Sequence, residues 1–461
     1  MASIWIRNPL AVFDPEGDAA DAAGGLVVAG NRIVERIVSG GLPTTAVDET
    51  VDAADCVLLP GLINTHHHFY QTLSRAYFAA LNKPLFDWLT SLYPLWRHLD
   101  PELIDVSTRL ACAELMLSGC TTAVDHHYVF SNELTDAIDV QAAACGELGM
   151  RAVLTRGSMS LGEDDGGLPP QSVVQRDDVI LADSERLVGR WHQRTDDAML
   201  QIVLAPCSPF SVTPELLQQT ADLASMLDVN LHTHLAETAD ENEFCLASFG
   251  KRPLAHMADC GWLRPGTWFA HGIHFTPAEI ELLGTHQVGV AHCPNSNMML
   301  GSGICRVQEL RSAGVPVGLA VDGSASNDHS NLMQEARSAM LVQRLRDGLA
   351  GAEHLPQNPL FSAADALGIA TLGGANLLQR PTLGRLSVGS VADLALFRLD
   401  EARFSGAQSP IDGLLLGGAH QATHVMINGV WKVREGAFTD MDLPALLHAH
   451  GQAAERLWAK L

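Results

Sequence analysis

Two segments of the chain carry histidines at a spacing that suits a metal ion. The first is N-T-H-H-H, which ends in His66, His67 and His68. Successive side chains of a strand point to opposite faces, so His66 and His68 share a face and His67 points away. Two such imidazoles can chelate one ion, and zinc is the usual metal of nitrogen-rich sites. A polar surface loop is the alternative for this motif alone.

The second segment is H-T-H-L-A-E, residues 232–237. His232 and His234 share a face, but His234 lies nearer the predicted strand end and is our third nitrogen ligand. We predict that His232 is a hydrogen-bonded core histidine. Glu237 follows where the strand turns into a loop, and a carboxylate near a metal-bound water suits a proton shuttle. Its alternative is an ordinary acid at a helix start.

Two further residues extend this pattern. Asp322, in A-V-D-G, could supply a fourth ligand, accept a proton from the water, or do both, and a turn residue before Gly323 is the alternative. His271 could hydrogen-bond the water or a developing oxyanion. His274 and His292 are equally compatible with structural roles.

A repeated pattern of strands and helices could bring these residues together. Eight apolar, β-rich segments alternate with helical patterns, which predicts an α/β fold, a (β/α)8 TIM barrel whose strand carboxyl ends face the active site. A doubly wound open sheet is disfavoured, because the first strand ends in histidines rather than in a phosphate-binding glycine turn. The predicted strands are 57–66, 121–127, 150–157, 200–207, 229–237, 267–273, 287–294 and 316–323.

The two ends of the chain have a different pattern of apolar and polar residues. Short apolar runs separated by Gly, Asn and Asp turns occupy residues 1–58 and return from residue 384. We predict that residues 1–58 and 384–461, with a helix near the C-terminus, build one small β-sandwich domain around a barrel over residues 59–383. The glycine-rich loop 158–175 is predicted to be an active-site lid.

Composition disfavours several classes of function. The 461 residues include 29 Lys and Arg against 53 Asp and Glu, a formal net charge of −24, which disfavours nucleic-acid and membrane partners. No apolar run reaches the length of a membrane span. Nine widely spaced cysteines without C-x-x-C indicate buried thiols in a reducing cytoplasm rather than a disulfide framework. We therefore expect a cytoplasmic protein with a small-molecule substrate.

The lysines limit the number of metal ions. The chain has four lysines, and none lies between residues 84 and 250, which span the ends of predicted strands two to five. A two-metal site bridged by a modified lysine of strand four is therefore excluded, and we predict one metal ion per chain. The predicted ligands are His66, His68, His234 and Asp322.

The combined motifs resemble the amidohydrolase superfamily. They are H-x-H after P-G-L-I-N-T, H-x-x-E, the histidine that ends strand six and the D-G that ends strand eight. The stretches G-R-L-S-V-G-S-V-A-D-L and M-I-N-G-V-W resemble its composite β domain, so the resemblance covers nearly the whole chain. Within the superfamily the chain is similar to the mononuclear branch of cyclic amidine deaminases and triazine hydrolases, which implies one zinc or iron ion.

Further stretches, among them 156–170 and 321–328, resemble branch members that act on oxidised purines. The resemblance implies conversion of free 8-oxoguanine to uric acid and ammonia, with guanine, isoxanthopterin or a hydroxy-triazine as alternative substrates. Asp322 and His271 would take the water proton, and Glu237 would protonate the ring nitrogen. A homo-oligomer is expected by analogy of fold. A catalytically silent metal-binding barrel is disfavoured, because Glu237, His271 and Asp322 are all present.

Four residues are predicted to contact the substrate. The amide of Gln71 would pair with the edge of the ring, Arg156 would bind a carbonyl or enolate oxygen, and Tyr128 and Trp96 would stack on the ring. The alternatives are a helix-cap partner for Gln71, a salt bridge to an acid of the following loop for Arg156, and packing for the two aromatic residues. Cys207 is predicted to be a packing residue.

Overall fold

The structure, a computed structural model, describes residues 3–131, 134–349, 360–419 and 421–461. The strands before the barrel are β1 (Ser3–Arg7), β2 (Ala11–Val12), β3 (Gly25–Ala29), β4 (Arg32–Ile37), β5 (Glu49–Asp52) and β6 (Cys56–Pro60). The barrel strands are β7 (Leu62–Asn64), β8 (Cys120–His127), β9 (Arg151–Ser158), β10 (Leu200–Pro206), β11 (Leu231–Leu235), β12 (Thr267–His271), β13 (Gly289–His292) and β14 (Val317–Leu319). The strands after the barrel are β15 (Leu394–Arg398), β16 (His424–Ile427), β17 (Val430–Arg434) and β18 (Ala437–Phe438).

Helices connect the barrel strands and continue beyond them. The first group is α1 (Leu85–Trp96), α2 (Pro101–Leu117), α3 (Ala137–Leu148), α4 (Asp177–Trp191), α5 (Pro214–Leu227), α6 (Ala239–Phe249), α7 (Pro253–Asp259) and α8 (Pro277–His286). The second group is α9 (Pro294–Met299), α10 (Val307–Ser312), α11 (Ser324–Asn327), α12 (Leu332–Leu349), α13 (Ala363–Gly368), α14 (Gly374–Leu377), α15 (Pro410–Leu416) and α16 (Leu443–Trp458). Within the described ranges no helix combines the length and the apolar character that a membrane crossing requires.

The central sheet is a closed barrel, which confirms the predicted fold class. Its strands pair in chain order from β7 to β14, and β14 returns to β7 through Leu319 and Asn64. Every residue of β8 is buried, because a parallel barrel strand is covered by the interior on one face and by helices on the other. The carboxyl ends of the strands therefore meet in a single rim.

The predicted strand 57–66 is two strands in the structure. β6 pairs antiparallel with β15 outside the barrel, and only β7 enters the barrel. Gly61 lies between them, where a Cβ atom would stand 2.1 Å from Thr121 Oγ1. The chain can change sheets at this point because glycine permits the close approach.

The two other sheets draw on both ends of the chain. One is four-stranded, in the order β4-β3-β1-β5, and the other is six-stranded, in the order β18-β17-β16-β15-β6-β2. They share an apolar core to which Ile6, Leu26, Leu394 and Leu396 contribute. This is a small sandwich built from both termini, although the limits at residues 58 and 383 remain predictions.

The barrel helices begin where the sequence places capping residues. The Asp100 side chain accepts a hydrogen bond of 2.8 Å from the amide of Leu103, and Pro101 opens the first turn of α2. Thr213 and Pro214 act in the same way at α5. All nine cysteines lie in the described part of the chain and are buried free thiols, in line with the sequence.

A buried ion pair ties the barrel to the terminal sheets and predicts a large loss of stability. Arg151, at the start of β9, binds both carboxylate oxygens of Asp393, at 3.0 and 3.1 Å, and both side chains are almost fully buried. Asp393→Ala leaves the guanidinium buried without a counter-charge, so we expect a loss of about 3–5 kcal/mol in the free energy of unfolding. Denaturant titration measures this loss.

The exposed pair of Arg7 and Asp52, at 2.7 Å, offers a matched control. Asp52→Ala should cost less than about 1 kcal/mol, since water screens exposed ion pairs. Equal losses for the two variants would contradict a special contribution of the buried pair.

Candidate active site and metal centre

The barrel rim brings together the histidines and the aspartate that the sequence singled out. His66 and His68 follow β7, His234 lies in β11, and Asp322 follows β14. The amide of Asp322 donates to the carbonyl oxygen of His66 at 3.1 Å, which joins the first and last strands of the barrel directly beneath the site. All four side chains are buried.

The ligand atoms of these residues converge on one point. His68 Nε2 lies 3.1 Å from His234 Nε2. Asp322 Oδ1 lies 3.3 Å from His66 Nε2 and 3.3 Å from His68 Nε2. His126 joins the three histidines in one close group, and His271 joins His66 and Asp322 in another, with atoms within 4.8 Å of one another.

The hydrogen bonds around the histidines fix where their protons lie. His68 Nδ1 donates to the carbonyl oxygen of His126 at 2.6 Å, and His234 Nδ1 donates to that of Cys207 at 2.6 Å. A carbonyl oxygen can only accept, and a neutral imidazole carries one N–H. Both Nε2 atoms therefore present lone pairs, and the two lone pairs face each other.

Two successive hydrogen bonds give His66 the same tautomer, with its lone pair on Nε2. His232 Nδ1 donates to the carbonyl oxygen of Trp268 at 2.9 Å, so its Nε2 accepts from His66 Nδ1 at 2.7 Å. Burial lowers the pKa of His232 to about 3 and lowers that of His66 well below its usual range, so both rings are neutral. His232 is thus the hydrogen-bonded core histidine that we predicted, and it also orients His66.

This donor set fits a metal ion. His66 Nε2 is buried and has no hydrogen-bond partner within the described residues. Three converging lone pairs and a carboxylate repel one another unless a cation lies between them. Three imidazole nitrogens and one carboxylate oxygen form a suitable ligand set for zinc, and the second-layer hydrogen bonds are those that orient metal-binding histidines.

Glu237 and His271 lie together beside the cluster. Glu237 Oε2 is 3.4 Å from His271 Nε2, and both side chains are buried. Burial raises the pKa of Glu237 well above its usual range, and the charges of Asp322 and Glu241 add to this effect. Burial lowers the pKa of His271 to about 4. The pair is therefore a protonated carboxyl beside a neutral imidazole, which is an arrangement that can deliver a proton.

A narrow cleft opens onto these groups. Its polar floor carries the metal-binding cluster, and its roof is apolar. An apolar wall beside a few polar groups suits the face and the edges of a small planar ring. The lining residues are His68, Gln71, Leu85, Trp88, Leu89, Tyr128, Cys207, Phe210, His234, Glu237, His271, Leu300, Asp322 and Ser326.

The structure brings two of the four predicted substrate contacts to the cleft. Gln71 and Tyr128 line it. Arg156 lies outside the lining, because its guanidinium binds Asp183 Oδ2 at 2.6 Å on the helix side of the barrel. Trp96 also lies outside, and its Nε1 donates to Ser74 Oγ at 3.1 Å. Both side chains form hydrogen bonds with the surrounding structure, outside the residues that line the cleft.

The predicted lid lies away from the cleft, whereas Cys207 lines it. Among the described residues, none of the loop 158–175 lines the cleft. Helix α1 provides the roof instead, through Leu85, Trp88 and Leu89. Cys207 does line the cleft, and burial raises the pKa of its thiol to about 12, which leaves it unreactive and suits a packing role.

Sequence reasoning missed the short helix α9. Its side chains support three groups of the site in succession, since Asn295 binds Glu335, Ser296 donates to Asp322 Oδ2 at 2.6 Å, and Asn297 lies 3.0 Å from His271. The run P-N-S-N directly after strand seven was the available signal, because polar residues at a strand end face the active site.

A buried carboxylate behind the site predicts a pH dependence of stability. Glu335 Oε1 accepts hydrogen bonds from Asn327 Nδ2 at 2.6 Å and from Asn295 Nδ2 at 2.7 Å. Burial raises the pKa of Glu335 from 4.5 to about 8. The folded state holds this proton more tightly than the unfolded chain does, so its contribution to stability is complete below pH 4.5 and is lost as the pH rises through about 8.

Glu335→Gln tests this dependence, because glutamine keeps an oxygen for the two amides and cannot ionise. We expect the Tm of the variant to fall less than that of the wild type between about pH 5 and about pH 8. Thermal unfolding at a series of pH values measures both slopes. Identical slopes would contradict a titrating Glu335.

Known proteins share this sequence pattern and architecture. The model of the amidohydrolase family matches residues 57–432. The 8-oxoguanine deaminase of Pseudomonas aeruginosa is 56% identical over 459 residues, which cover 100% of both chains. An isoxanthopterin deaminase of an unknown prokaryotic organism is 34% identical, over 92% of this chain and 91% of that protein. The crystal structure of the atrazine chlorohydrolase of Arthrobacter aurescens TC1 complexed with zinc has a TM-score of 0.90 at 30% identity, covering 98% of this chain and 100% of that one.

Proposed function

This chain belongs to the amidohydrolase family, and on that premise we propose that it is a zinc-dependent deaminase that hydrolyses 8-oxoguanine to uric acid and ammonia. The observation that carries the reaction is the convergence of three imidazole lone pairs and the Asp322 carboxylate beside a protonated Glu237. The whole-chain similarity to an 8-oxoguanine deaminase supports the substrate.

The residues that would hold the metal are His66, His68, His234 and Asp322. We propose one zinc ion per chain, with iron as the alternative. When bound, the ion supplies Lewis acidity that lowers the pKa of a coordinated water from about 15.7 toward about 7. The relay through His232 keeps the Nε2 of His66 available for this purpose.

Asp322 and Glu237 then transfer the protons of the reaction. Water adds to the ring carbon that bears the amino group, and its first proton passes to Asp322. The carboxyl of Glu237 protonates the adjacent ring nitrogen, and the carboxylate that results moves the second water proton to the leaving amine. The carbon–nitrogen bond breaks, ammonia departs, and the proton on Asp322 returns to Glu237. Water thus supplies one oxygen to the product, one hydrogen to the ring and one to ammonia.

The cleft suits a flat, polar ring. Gln71 Nε2 is buried and, among the described residues, has no hydrogen-bond partner. It can therefore donate to a carbonyl oxygen or a ring nitrogen of the substrate. The apolar face of Trp88 and the ring of Tyr128 would pack against the purine.

Ammonia release from purified, metal-assayed protein tests the proposal. The substrates are 8-oxoguanine, guanine, isoxanthopterin and a hydroxy-triazine, offered side by side. We expect the highest kcat/KM for 8-oxoguanine, with about one metal ion per chain. Preference for another ring would overturn the substrate and keep the reaction. Metal-loaded protein that releases no ammonia from any of them would overturn the deaminase.

Two further parts of the proposal are a cytoplasmic location and a homo-oligomeric assembly. Buried, unpaired thiols support the first, since they suit a reducing compartment. Analogy of fold supports the second. Light scattering of the purified protein measures the assembly, and a monomeric mass would contradict it.

A further inference from the structure

The side chain of Asn297 contacts the ring of His271, and the proposed reaction assigns no role to this contact. Asn297 lies on α9 and is almost fully buried. Its Nδ2 is 3.0 Å from His271 Nδ1, and its Oδ1 has no hydrogen-bond partner among the residues that the structure describes. The amide is therefore committed to the imidazole of His271.

His271 is held firmly on its other sides. It ends β12 with a backbone φ of 76°, which is unusual for a residue other than glycine and persists only where the surroundings impose it. Its ring stacks on that of His234 at a centroid distance of 5.6 Å and an angle of 15°. Its Nε2 faces Glu237 Oε2 at 3.4 Å. With the ring fixed, the remaining variable is which nitrogen carries the proton.

The geometry points to Asn297 as a positioning residue that donates to Nδ1 of His271 and keeps the imidazole proton on Nε2, so that His271 donates to the reacting oxygen and does not accept the water proton. This inference rests on the proposed deaminase function and refines it. A neutral imidazole has one donor and one acceptor nitrogen, so an amide N–H directed at Nδ1 requires the lone pair there and the hydrogen on Nε2.

The charges around Nε2 favour the same tautomer. The ionised Asp322 carboxylate belongs to one close group with His271, whose Nδ1 faces Asn297. The uncharged carboxyl of Glu237 can turn its carbonyl oxygen toward Nε2. An N–H directed toward oxygen acceptors is favourable, whereas a lone pair directed toward an ionised carboxylate is not. His271 then stabilises negative charge on the oxygen that adds to the ring, and Asp322 alone receives the first water proton.

Asn297→Asp tests the donor role with almost no change in shape. A carboxylate only accepts, so it forces the His271 proton onto Nδ1 and turns the Nε2 lone pair toward the site. We expect kcat to fall by about 10²–10³, the value of one lost oxyanion donor, with KM and bound zinc little changed. Met298→Asp is the control, since it adds the same charge to the same helix at an exposed side chain that does not line the cleft; its kcat should stay near that of the wild type.

The tautomer can be read directly and without turnover. Nitrogen-15 NMR of histidine-labelled protein, with the His271 signals identified by their loss in His271→Gln, should show a protonated Nε2 in the wild type and a protonated Nδ1 in Asn297→Asp. A protonated Nδ1 in the wild type would overturn the inference, as would wild-type kcat in Asn297→Asp. An inactive wild type with a protonated Nε2 would instead overturn the proposed deaminase and leave the positioning role standing.

Discussion

Glu237→Gln should lose most of its turnover while its metal content stays unchanged. Glutamine has the size of glutamate and keeps an oxygen near His271, but it can neither give nor take a proton. Burial raises the pKa of Glu237 and keeps its carboxyl protonated. We expect that solvent water does not replace it as the proton donor. We expect kcat to fall by a factor of about 10²–10⁴, the usual contribution of a positioned acid or base. Ammonia release and metal analysis on the same sample measure both quantities.

Glu243 provides the control for this substitution. It lies on α6, six residues after Glu237, and its side chain is exposed. Glu243→Gln makes the same change of side chain near the start of α6, and Glu243 does not line the cleft, so kcat and bound metal should equal those of the wild type. If Glu237→Gln retained more than about a tenth of wild-type turnover, the proton shuttle would be another group.

The fold could be predicted because the barrel strands are buried on both faces and each ends in polar residues. That pattern locates the rim and needs no three-dimensional information. The exception is the segment 57–66, which is predicted as one strand because its apolar residues are nearly continuous. Only the close approach of Gly61 to Thr121 in the folded chain shows why the strand is divided.

The metal cluster could be predicted for a local reason, whereas two of the four predicted substrate contacts, Arg156 and Trp96, lie outside the cleft. The spacing of His66 and His68 decides that they share a face, whatever the rest of the chain does. Arg156 ends a strand in the same way, but it pairs in register with His127, while the neighbouring His126 faces the cluster. Arg156 therefore points to the helices, and strand alternation applied across the pair would have indicated this. Trp96 lies on α1, whose orientation depends on packing between distant segments.

The sequence predicts His232 as a hydrogen-bonded core histidine, but not that it orients His66, nor that Asn297 contacts His271. Each of these roles depends on which group lies opposite a ring nitrogen. The carbonyl oxygen of Trp268 lies opposite Nδ1 of His232, and the side-chain amide of Asn297 lies opposite Nδ1 of His271. Strand register and helix placement decide such contacts to within a fraction of an ångström. A motif identifies the histidine, but only its partner identifies the nitrogen that carries the proton.

Removal of the metal should abolish turnover and lower thermal stability together. The Nε2 lone pairs of His68 and His234 face each other at 3.1 Å beside the Asp322 carboxylate, so a bound cation relieves their mutual repulsion. A ligand that binds only the folded state stabilises it by mass action, so a chelator should lower the Tm and zinc should restore both Tm and kcat. Dialysis against a chelator, followed by metal analysis and thermal unfolding, measures this.

His234→Ala and His292→Ala separate the ligand from a merely buried histidine. Both residues are buried on neighbouring parts of the barrel rim, so each substitution leaves a similar cavity. We expect His234→Ala to lose the metal and, with it, the response of Tm to zinc, because a zinc site with one imidazole fewer binds far more weakly. His292→Ala should keep about one metal ion per chain, since His292 lies outside the described metal-binding groups. Equal metal content in the two variants would contradict the ligand set, because the cavity alone would then account for every loss of stability.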